Sequence, residues 1–275
     1  MLEKKKEKYI NSPFNFTGNK FKLLEQIIPE MDYSKEYFVD LFTGGGSVYT
    51  NIVHKYDKIL VNDIITELIG IHKGLLEGDD IIIKTKSLCP SKDDKDAFLK
   101  LRNSFNEEKT PEKLWALMLS CTSNMMRFNK KFQFNQTFGK RSWNDSTTKK
   151  VEKFTEHIRQ YQGKILFTSK TFNDINIKKP SMVYIDPPYS NTEAGYNNYW
   201  EKNDDLKLYN YCKELDKNGS SFMVSGVLSH DGESCLLLDK LIADGYIVKE
   251  LDYDYEKVAR KKNSKKSQEV IIMNY

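Results

Sequence analysis

The stretch YFVDLFTGGGSV, residues 37 to 48, combines a strand-type run, a glycine cluster and the start of a helix-compatible segment. The run from Tyr37 to Phe42 is rich in aromatic and β-branched residues, which favour a strand, and the segment after the glycines is compatible with a helix to about Tyr56. KILVND, residues 58 to 63, then predicts a second strand that ends in an acid. Strand, turn, helix and strand form a βαβ unit, which implies a parallel sheet with right-handed crossovers.

A similar alternation of strands and helices resumes in the second half of the chain. Strands are predicted at KILFTS (164 to 169), MVYID (182 to 186), SSFMVS (220 to 225) and YIVKEL (246 to 251). Helices are predicted near residues 204 to 217 and 232 to 243, and the terminal EVIIMNY is compatible with an antiparallel strand. The sequence therefore predicts an α/β fold with a mostly parallel sheet.

Between these halves, residues from about 91 to 162 have a different character. DAFLKLRNSF and EKLWALMLSCTSNMM have helical apolar spacing, and VEKFTEHIRQY follows after a basic, aromatic stretch. We therefore predict a core formed by residues 1–88 and 163–275, interrupted by an inserted helical and loop subdomain at residues 89–162.

Composition argues against a membrane protein and against metal chemistry. Of the 275 residues, 39% are hydrophobic and 30% charged, no apolar run approaches the ~18 residues of a membrane span, and MLEKKKEKY lacks the apolar stretch of a signal peptide. The four cysteines and four histidines are scattered, without CxxC or HExxH spacing. We expect a cytoplasmic protein with reduced thiols, no metal ion and no membrane partner.

Basic residues cluster in two places, residues 130 to 150 and residues 257 to 266, although the net charge is only +4. A charge run is compatible with a merely solvated face. In MRFNKKFQFNQTFGKRSW, residues 126 to 143, aromatic residues alternate with the cations. Because phosphates need cations and bases need flat faces, this alternation favours nucleic-acid binding.

Two glycine-containing turns are candidates for ligand binding. In residues 40 to 48, DLFTGGGSV, glycines let the backbone approach a ligand, and Asp63 follows near the ~20-residue offset at which an acid meets a ribose diol. GGGS matches neither dinucleotide nor nucleotide-triphosphate motifs, so a turn that only closes the βα unit remains the alternative. FTGNK, residues 16 to 20, is compatible with a simple helix start, but Lys20 can also donate a charge-assisted hydrogen bond to a carboxylate.

The strand MVYID ends in Asp186, and Pro187, Pro188 and Tyr189 follow it. Prolines lack an N–H, so this turn presents acceptors at the carboxyl edge of the sheet, where α/β proteins bind ligands. If Asp186 and the Pro187 carbonyl each accept one N–H, an aryl amine is drawn toward tetrahedral geometry and its lone pair can attack a methyl group, while Tyr189 stacks on the base. A cytosine-C5 methylase would need a nearby cysteine instead, and the motif has none.

DPPY, FTGNK and DLFTGGGSV resemble the catalytic motif and the two AdoMet-binding motifs of Dam-type DNA adenine-N6 methyltransferases. SNMMRFN (123 to 129), FGKR (138 to 141), YNNYW (196 to 200) and SGVLSHDG (225 to 232) resemble the phage branch of this family, in the same order. The resemblance covers about residues 12 to 275. It implies a class I methyltransferase (Rossmann-like) sheet that carries an AdoMet-binding catalytic site, with residues 89–162 as the target-recognition subdomain.

The resemblance also implies a set of site residues, with S-adenosyl-L-methionine as methyl donor and S-adenosyl-L-homocysteine as product. The implied catalytic residues are Asp186, Pro187, Pro188 and Tyr189, and the implied cofactor residues are Phe16, Gly18, Lys20, Asp40, Phe42, Gly44, Gly46, Asp63, Phe172 and Asp186. Among these, Asp63 would bind the ribose hydroxyls and Phe172 would border the adenine ring. Family members more often have Tyr or Trp in place of Phe16.

For DNA, the resemblance implies contacts from Ser123, Asn124, Met126, Arg127, Asn129, Lys130, Phe138, Lys140 and Arg141. The resemblance implies that Arg127 and Asn129 are the base readers, and their residue types are compatible with this, since arginine suits bidentate contacts to guanine and asparagine suits adenine. Thr137 stands where relatives have a proline that helps to shape thymine recognition. GATC is the expected target, and Thr137 is the position at which this chain departs from the family pattern.

The leading interpretation is a base-flipping methylase of duplex DNA. Adenine-N6 methylation of RNA or single-stranded DNA, and a non-catalytic AdoMet-dependent DNA-binding regulator, are the alternatives. The spacing Arg-x-Asn favours duplex readout, and the intact DPPY motif argues against a regulator. A monomer or weak dimer is expected, and a cognate restriction endonuclease is a candidate partner.

Overall fold

The computed structural model describes residues 9–188, 200–230, 233–252 and 268–275. Tyr189, most of YNNYW and the second basic cluster lie outside the described residues, so the predictions made for them remain predictions.

One seven-stranded sheet organises the described chain, in the order β3-β2-β1-β4-β5-β9-β8. The strands are β1 Tyr37–Asp40, β2 Lys58–Asn62, β3 Ile165–Thr168, β4 Ser181–Ile185, β5 Ser221–Val227, β8 Ile247–Leu251 and β9 Glu269–Met273, with a separate two-stranded pair, β6 Ser229–His230 and β7 Glu233–Ser234. Strands β1 to β5 are parallel, and β9 pairs antiparallel with β5 and β8. The predicted parallel sheet and its antiparallel last strand are confirmed.

The helices are α1 Leu24–Ile27, α2 Ser47–Ile52, α3 Thr66–Glu77, α4 Asp80–Leu88, α5 Lys95–Glu107, α6 Pro111–Ser120, α7 Asp145–Ile158, α8 Lys202–Lys217 and α9 Leu236–Ala243. Helix α4 is absent from the sequence prediction, and α6 was predicted to continue to Met126. It stops at Ser120 because Cys121 adopts an extended backbone with φ −86° and ψ 166°, and the positive φ angles of Ser123 and Asn124, 59° and 53°, prevent the helix from resuming.

Side chains of the sheet alternate between two hydrophobic clusters, one on each face. Phe38 and Tyr184 belong to the first cluster, and their neighbours Val39 and Val183 belong to the second. Both faces are covered, which explains why β4 is buried along its whole length and reads as a continuous apolar run. Buried side chains of α5, α6 and α7 share the first cluster with the sheet, including Trp115.

The strand order reverses at β1, which pairs with β2 on one side and β4 on the other. In open parallel sheets a crevice forms at such a switch point, outside the carboxyl ends of the strands. Three acids lie at these ends: Asp40 ends β1, Asp63 follows β2 and Asp186 follows β4. The topology therefore places three acids that are distant in sequence at one edge of the sheet.

Candidate active site

A cavity of about 650 Å³ lies at this switch point. Its wall includes all of the predicted cofactor residues, Phe16, Gly18, Lys20, Asp40, Phe42, Gly44, Gly46, Asp63, Phe172 and Asp186, together with Pro187 and Pro188. Residues from the FTGNK turn, the glycine turn, the ends of β2 and β4 and the loop after β3 thus meet around one space.

Asp186 is held by a lysine from the other end of the sequence. Lys20 Nζ donates to both carboxylate oxygens, at 2.8 and 2.9 Å, and to the Gly18 carbonyl at 3.1 Å. The Lys20 side chain is only 6% exposed. The sequence predicted a charge-assisted hydrogen bond from Lys20 to a carboxylate, and in the structure that carboxylate belongs to Asp186 of the DPPY motif. Lys20 also lines the cavity, and its role toward the cofactor stays a prediction.

A second contact to Asp186 comes from β5. Ser225 Oγ donates to Asp186 Oδ1 at 3.0 Å and lies 2.8 Å from Tyr184 Oη. Because a serine hydroxyl has one proton and here gives it to the carboxylate, Tyr184 must donate to Ser225. Burial raises the pKa of the Tyr184 phenol well above its usual value, which keeps it a donor. The sequence alone does not reveal this chain.

Asp63 binds the backbone of the glycine turn. Its Oδ2 accepts from the Gly44 amide and its Oδ1 from the Ile65 amide, each at 3.0 Å. Burial raises the pKa of this carboxyl, and the two backbone amides oppose that shift. The carboxylate thus fixes the start of α3 and the glycine turn in one arrangement while it lines the cavity.

The glycines of this turn are required by the protein's own aromatic rings. Gly44 and Gly46 have positive φ angles of 47° and 75°. A Cβ at Gly44 would lie 2.7 Å from the Phe16 ring, and one at Gly46 would lie 2.5 Å from Tyr49. These glycines thus let internal side chains pack against the turn, and both also line the cavity, so the predicted approach of a ligand to the turn stays a prediction.

His72, which the sequence analysis left without a role, anchors the same turn. Its Nε2 lies 2.9 Å from the Gly44 carbonyl, and its Nδ1 lies 2.9 Å from Tyr49 Oη. Because a carbonyl only accepts, Nε2 carries the proton and Tyr49 donates to Nδ1. Burial lowers the pKa of His72 to about 4, so the ring is neutral in this role.

Asp40 is the least satisfied acid of the site. It is 2% exposed, its Oδ2 accepts from Thr43 at 3.2 Å, and its Oδ1 has no hydrogen-bond partner in the described structure. Burial, together with the charges of Asp186 and Asp63, raises the pKa of Asp40 to about 8. A buried acceptor with a displaced pKa at the cavity wall is typical of a functional site.

We expect Asp40→Asn to raise the melting temperature at pH 8 by a few degrees. Since the pKa of Asp40 is higher in the folded chain than its ordinary 3.8, the folded state retains a proton that the unfolded chain loses, and this costs stability as pH rises from about 4 to 8. Thermal melts from pH 5 to 8.5 should show a flatter profile for Asp40→Asn. Asp57→Asn, at an exposed acid, is the control; parallel profiles for all three proteins would contradict the assignment.

One wall of the cavity is aromatic. Phe172 is buried, and its ring centroid lies 5.7 Å from those of both Phe42 and Trp200. Trp200, the last residue of YNNYW, is fixed by a 2.7 Å hydrogen bond from its indole to Asp205. This wall offers flat apolar surface to a planar ring.

The predicted DNA-binding segment forms a hairpin-like loop after α6, with bridges between Cys121 and Phe138 and between Phe128 and Phe134. Its predicted contact residues fall into two groups. Exposed are Ser123, Arg127, Lys130, Lys140 and Arg141, whereas Met126 is buried and Phe138 and Asn124 are half-buried. Met126 lines the cavity, and Phe138 packs on Phe98 at 5.4 Å.

Asn129 lies in the tight turn of this loop and is engaged there. Its Oδ1 accepts from the Lys131 and Gln133 amides, and its Nδ2 donates to the Gln133 side chain at 3.0 Å. Asn129 therefore shapes the turn that presents exposed Arg127. Arg141 similarly donates to Asn124 at 2.9 Å.

Across the described residues, no group of three or more His, Cys, Asp or Glu side chains is arranged to hold a metal ion. None of the described helices has the length and apolarity required to cross a membrane.

Comparison with known proteins gives one family model and several relatives that the chain resembles. Residues 16–262 match the family model of D12 class N6 adenine-specific DNA methyltransferases. The chain is 30% identical to modification methylase StsI of Streptococcus sanguinis and to type II methyltransferase M.FokI of Planomicrobium okeanokoites, over 98% of its length in both cases, and 25% identical to the DNA N-6-adenine-methyltransferase of Escherichia phage P1 over 78%. It spans 43%, 44% and 29% of these relatives.

Proposed function

The chain belongs to the D12 class of N6 adenine-specific DNA methyltransferases, and on this premise we propose that it methylates N6 of a flipped adenine in duplex DNA, with AdoMet as donor. The observation that carries the proposal is the position of Asp186, Pro187 and Pro188 at the wall of a cavity shared with the glycine turn. Three residues of the DPPY motif thus line the space that we assign to the cofactor.

The residues around the cavity fit the chemistry of AdoMet. The unpartnered Oδ1 of Asp40 and the other acids suit the ammonium and sulfonium groups of AdoMet, and Asp63 lies at the wall where ribose hydroxyls can donate to it. Phe16 and Phe172 provide apolar surface for a purine. When bound, AdoMet supplies an electrophilic methyl group.

In the proposed reaction Asp186 and the Pro187 carbonyl each accept a hydrogen bond from one N–H of the adenine amino group. These two hydrogen bonds aim the nitrogen lone pair at the methyl group. Lys20 donates to both carboxylate oxygens, so the amino group must share the carboxylate with this ammonium or displace it. Ser225, backed by Tyr184, fixes the carboxylate rotamer. No covalent enzyme intermediate is needed, because each side chain only orients or accepts.

We propose a GATC-like target read by the hairpin, in which Arg127 contacts a guanine edge. Where relatives have proline, the Thr137 hydroxyl lies 2.8 Å from the Thr122 hydroxyl, so a hydrogen bond replaces ring rigidity in this loop. Since relatives are named modification and type II methylases, a cognate restriction endonuclease is the proposed partner, with bacterial or phage-infected cytoplasm as the site of action.

The decisive experiment is methylation of unmodified genomic DNA by the purified chain with AdoMet, followed by long-read mapping of modified adenines. The expected result is N6-methyladenine at one short motif, and a GATC-like motif would also block a methyl-sensitive GATC nuclease. Methylation confined to RNA or to single-stranded DNA, or AdoMet binding without transfer to any nucleic acid, would refute the proposal.

We expect Arg127→Ala to cost about 1–3 kcal/mol in kcat/KM on the mapped site and to relax discrimination at one base pair. Arg127 is exposed, and the Asn129 turn holds the segment that carries it. Asn129→Ala should instead weaken methylation of all sequences by loosening the loop. The measurement is kcat/KM on every one-base variant of the site; full base preference in Arg127→Ala would place specificity elsewhere.

A further inference from the structure

A second cavity, of about 860 Å³, lies beside the catalytic one and plays no part in the proposed chemistry. We call it the lysine groove. It is lined by Tyr9, Asn11, Phe21, Lys22, Glu25, Ser146, Lys149, Lys150 and Lys153. Four lysines and one acid therefore line an open groove.

Three of these lysines come from one helix. Lys149, Lys150 and Lys153 lie on α7 at relative positions 0, 1 and 4, and the core side of that helix is formed by Val151, Phe154 and Ile158. None of the three lysines forms a salt bridge with another described residue. Glu152 and Glu156 share the helix but do not line the groove.

The segments that line the groove adjoin the catalytic edge of the sheet. Helix α7 leads through a short 3-10 segment into β3, which runs parallel to β1 and ends at that edge. The helix must run the opposite way, so its first turns lie near the edge. On the other wall, Lys22 belongs to the same 3-10 turn, Lys20–Leu23, as the Lys20 that contacts Asp186.

We propose that the lysine groove binds the DNA phosphate backbone beside the flipped adenine, as a sequence-independent grip separate from the recognition hairpin. The inference rests on the proposed function. When Lys149, Lys150 and Lys153 meet phosphates, counterions are released from the DNA, which provides binding free energy that depends on salt and not on sequence. The single 3-10 turn between the groove and Asp186 places this grip next to the reacting base.

The test compares two triple variants. Lys149→Gln/Lys150→Gln/Lys153→Gln removes the grip, and Lys55→Gln/Lys58→Gln/Lys178→Gln removes the same charge from exposed lysines near the opposite edge of the sheet. Binding of a duplex is measured from 50 to 300 mM salt for both variants and the wild type. The groove variant should lose about two to three from the log–log salt slope and about tenfold or more in affinity, equally for cognate and unrelated duplexes.

The control variant should lose much less of the slope, and both variants should keep the wild-type melting temperature and AdoMet affinity. An unchanged slope in the groove variant, or equal losses in both variants, would overturn the inference. If the groove variant melts early, Lys149→Gln and Lys153→Gln are measured singly, with about one unit of slope expected from each. If the wild type methylates the duplex and the groove variant keeps the wild-type salt slope, only the inference about the groove is refuted. If the wild type does not methylate DNA, the proposed function is refuted.

Discussion

Asp186→Ala abolishes methyl transfer in our expectation, with a loss of about 10²–10³-fold or more in kcat. The carboxylate is the acceptor that orients the adenine amino group, and alanine has no oxygen. Rates are compared in single turnover at saturating AdoMet and DNA, so that weaker binding does not mimic slower chemistry. Near-normal turnover by a folded Asp186→Ala protein would refute the mechanism.

Two further variants separate chemistry from folding. Asp186→Ala leaves the buried Lys20 ammonium without its carboxylate, and removal of one partner of a buried pair is often strongly destabilising. Asp186→Ala/Lys20→Met removes both charges and should melt higher than Asp186→Ala while remaining inactive. Ser225→Ala removes one hydrogen bond to the carboxylate and should lower kcat by about tenfold with unchanged AdoMet affinity. A change in affinity alone would give Ser225 a cofactor role instead.

The location of the site could be predicted from the sequence because it depends on topology. Acids that end parallel strands share one edge of the sheet, and Asp40, Asp63 and Asp186 follow from this rule once the strands are recognised. The strands themselves were recognisable since β1 and β4 are central and buried, with continuous apolar runs.

The contacts between these elements could not be predicted, because they join residues that are distant in sequence. Lys20 and Asp186 are 166 positions apart, and Ser225 lies a further 39 beyond Asp186. His72 looked like any residue on the buried face of α3, and only the fold shows that it holds the glycine turn. Asn129 was expected to read a base because of the family resemblance, and the sequence did not reveal that its carboxamide also closes a turn.

Asp63 combines a position that the sequence predicted with contacts that it did not. Its position after β2 predicted contact with ribose, and the structure adds two backbone amides that it already accepts from. A carboxylate can accept more than two hydrogen bonds, so both roles are compatible. Its removal therefore has two separable consequences: loss of acceptors for the ribose, and a buried Gly44 amide without a partner.

We expect Asp63→Ala to weaken AdoMet binding by about 1.5–3 kcal/mol, or roughly tenfold to a hundredfold, as measured by calorimetry. The two consequences are separated by comparing S-adenosyl-L-homocysteine with its 2′-deoxy analogue. If Asp63 accepts from the ribose, the wild type prefers the ribose form, and Asp63→Ala loses that preference along with affinity. Asp63→Asn, which retains one carbonyl oxygen, should be intermediate. If Asp63→Ala weakens both ligands equally and keeps the wild-type preference, the acid only holds the glycine turn, and the ribose must be bound by other residues of the cavity.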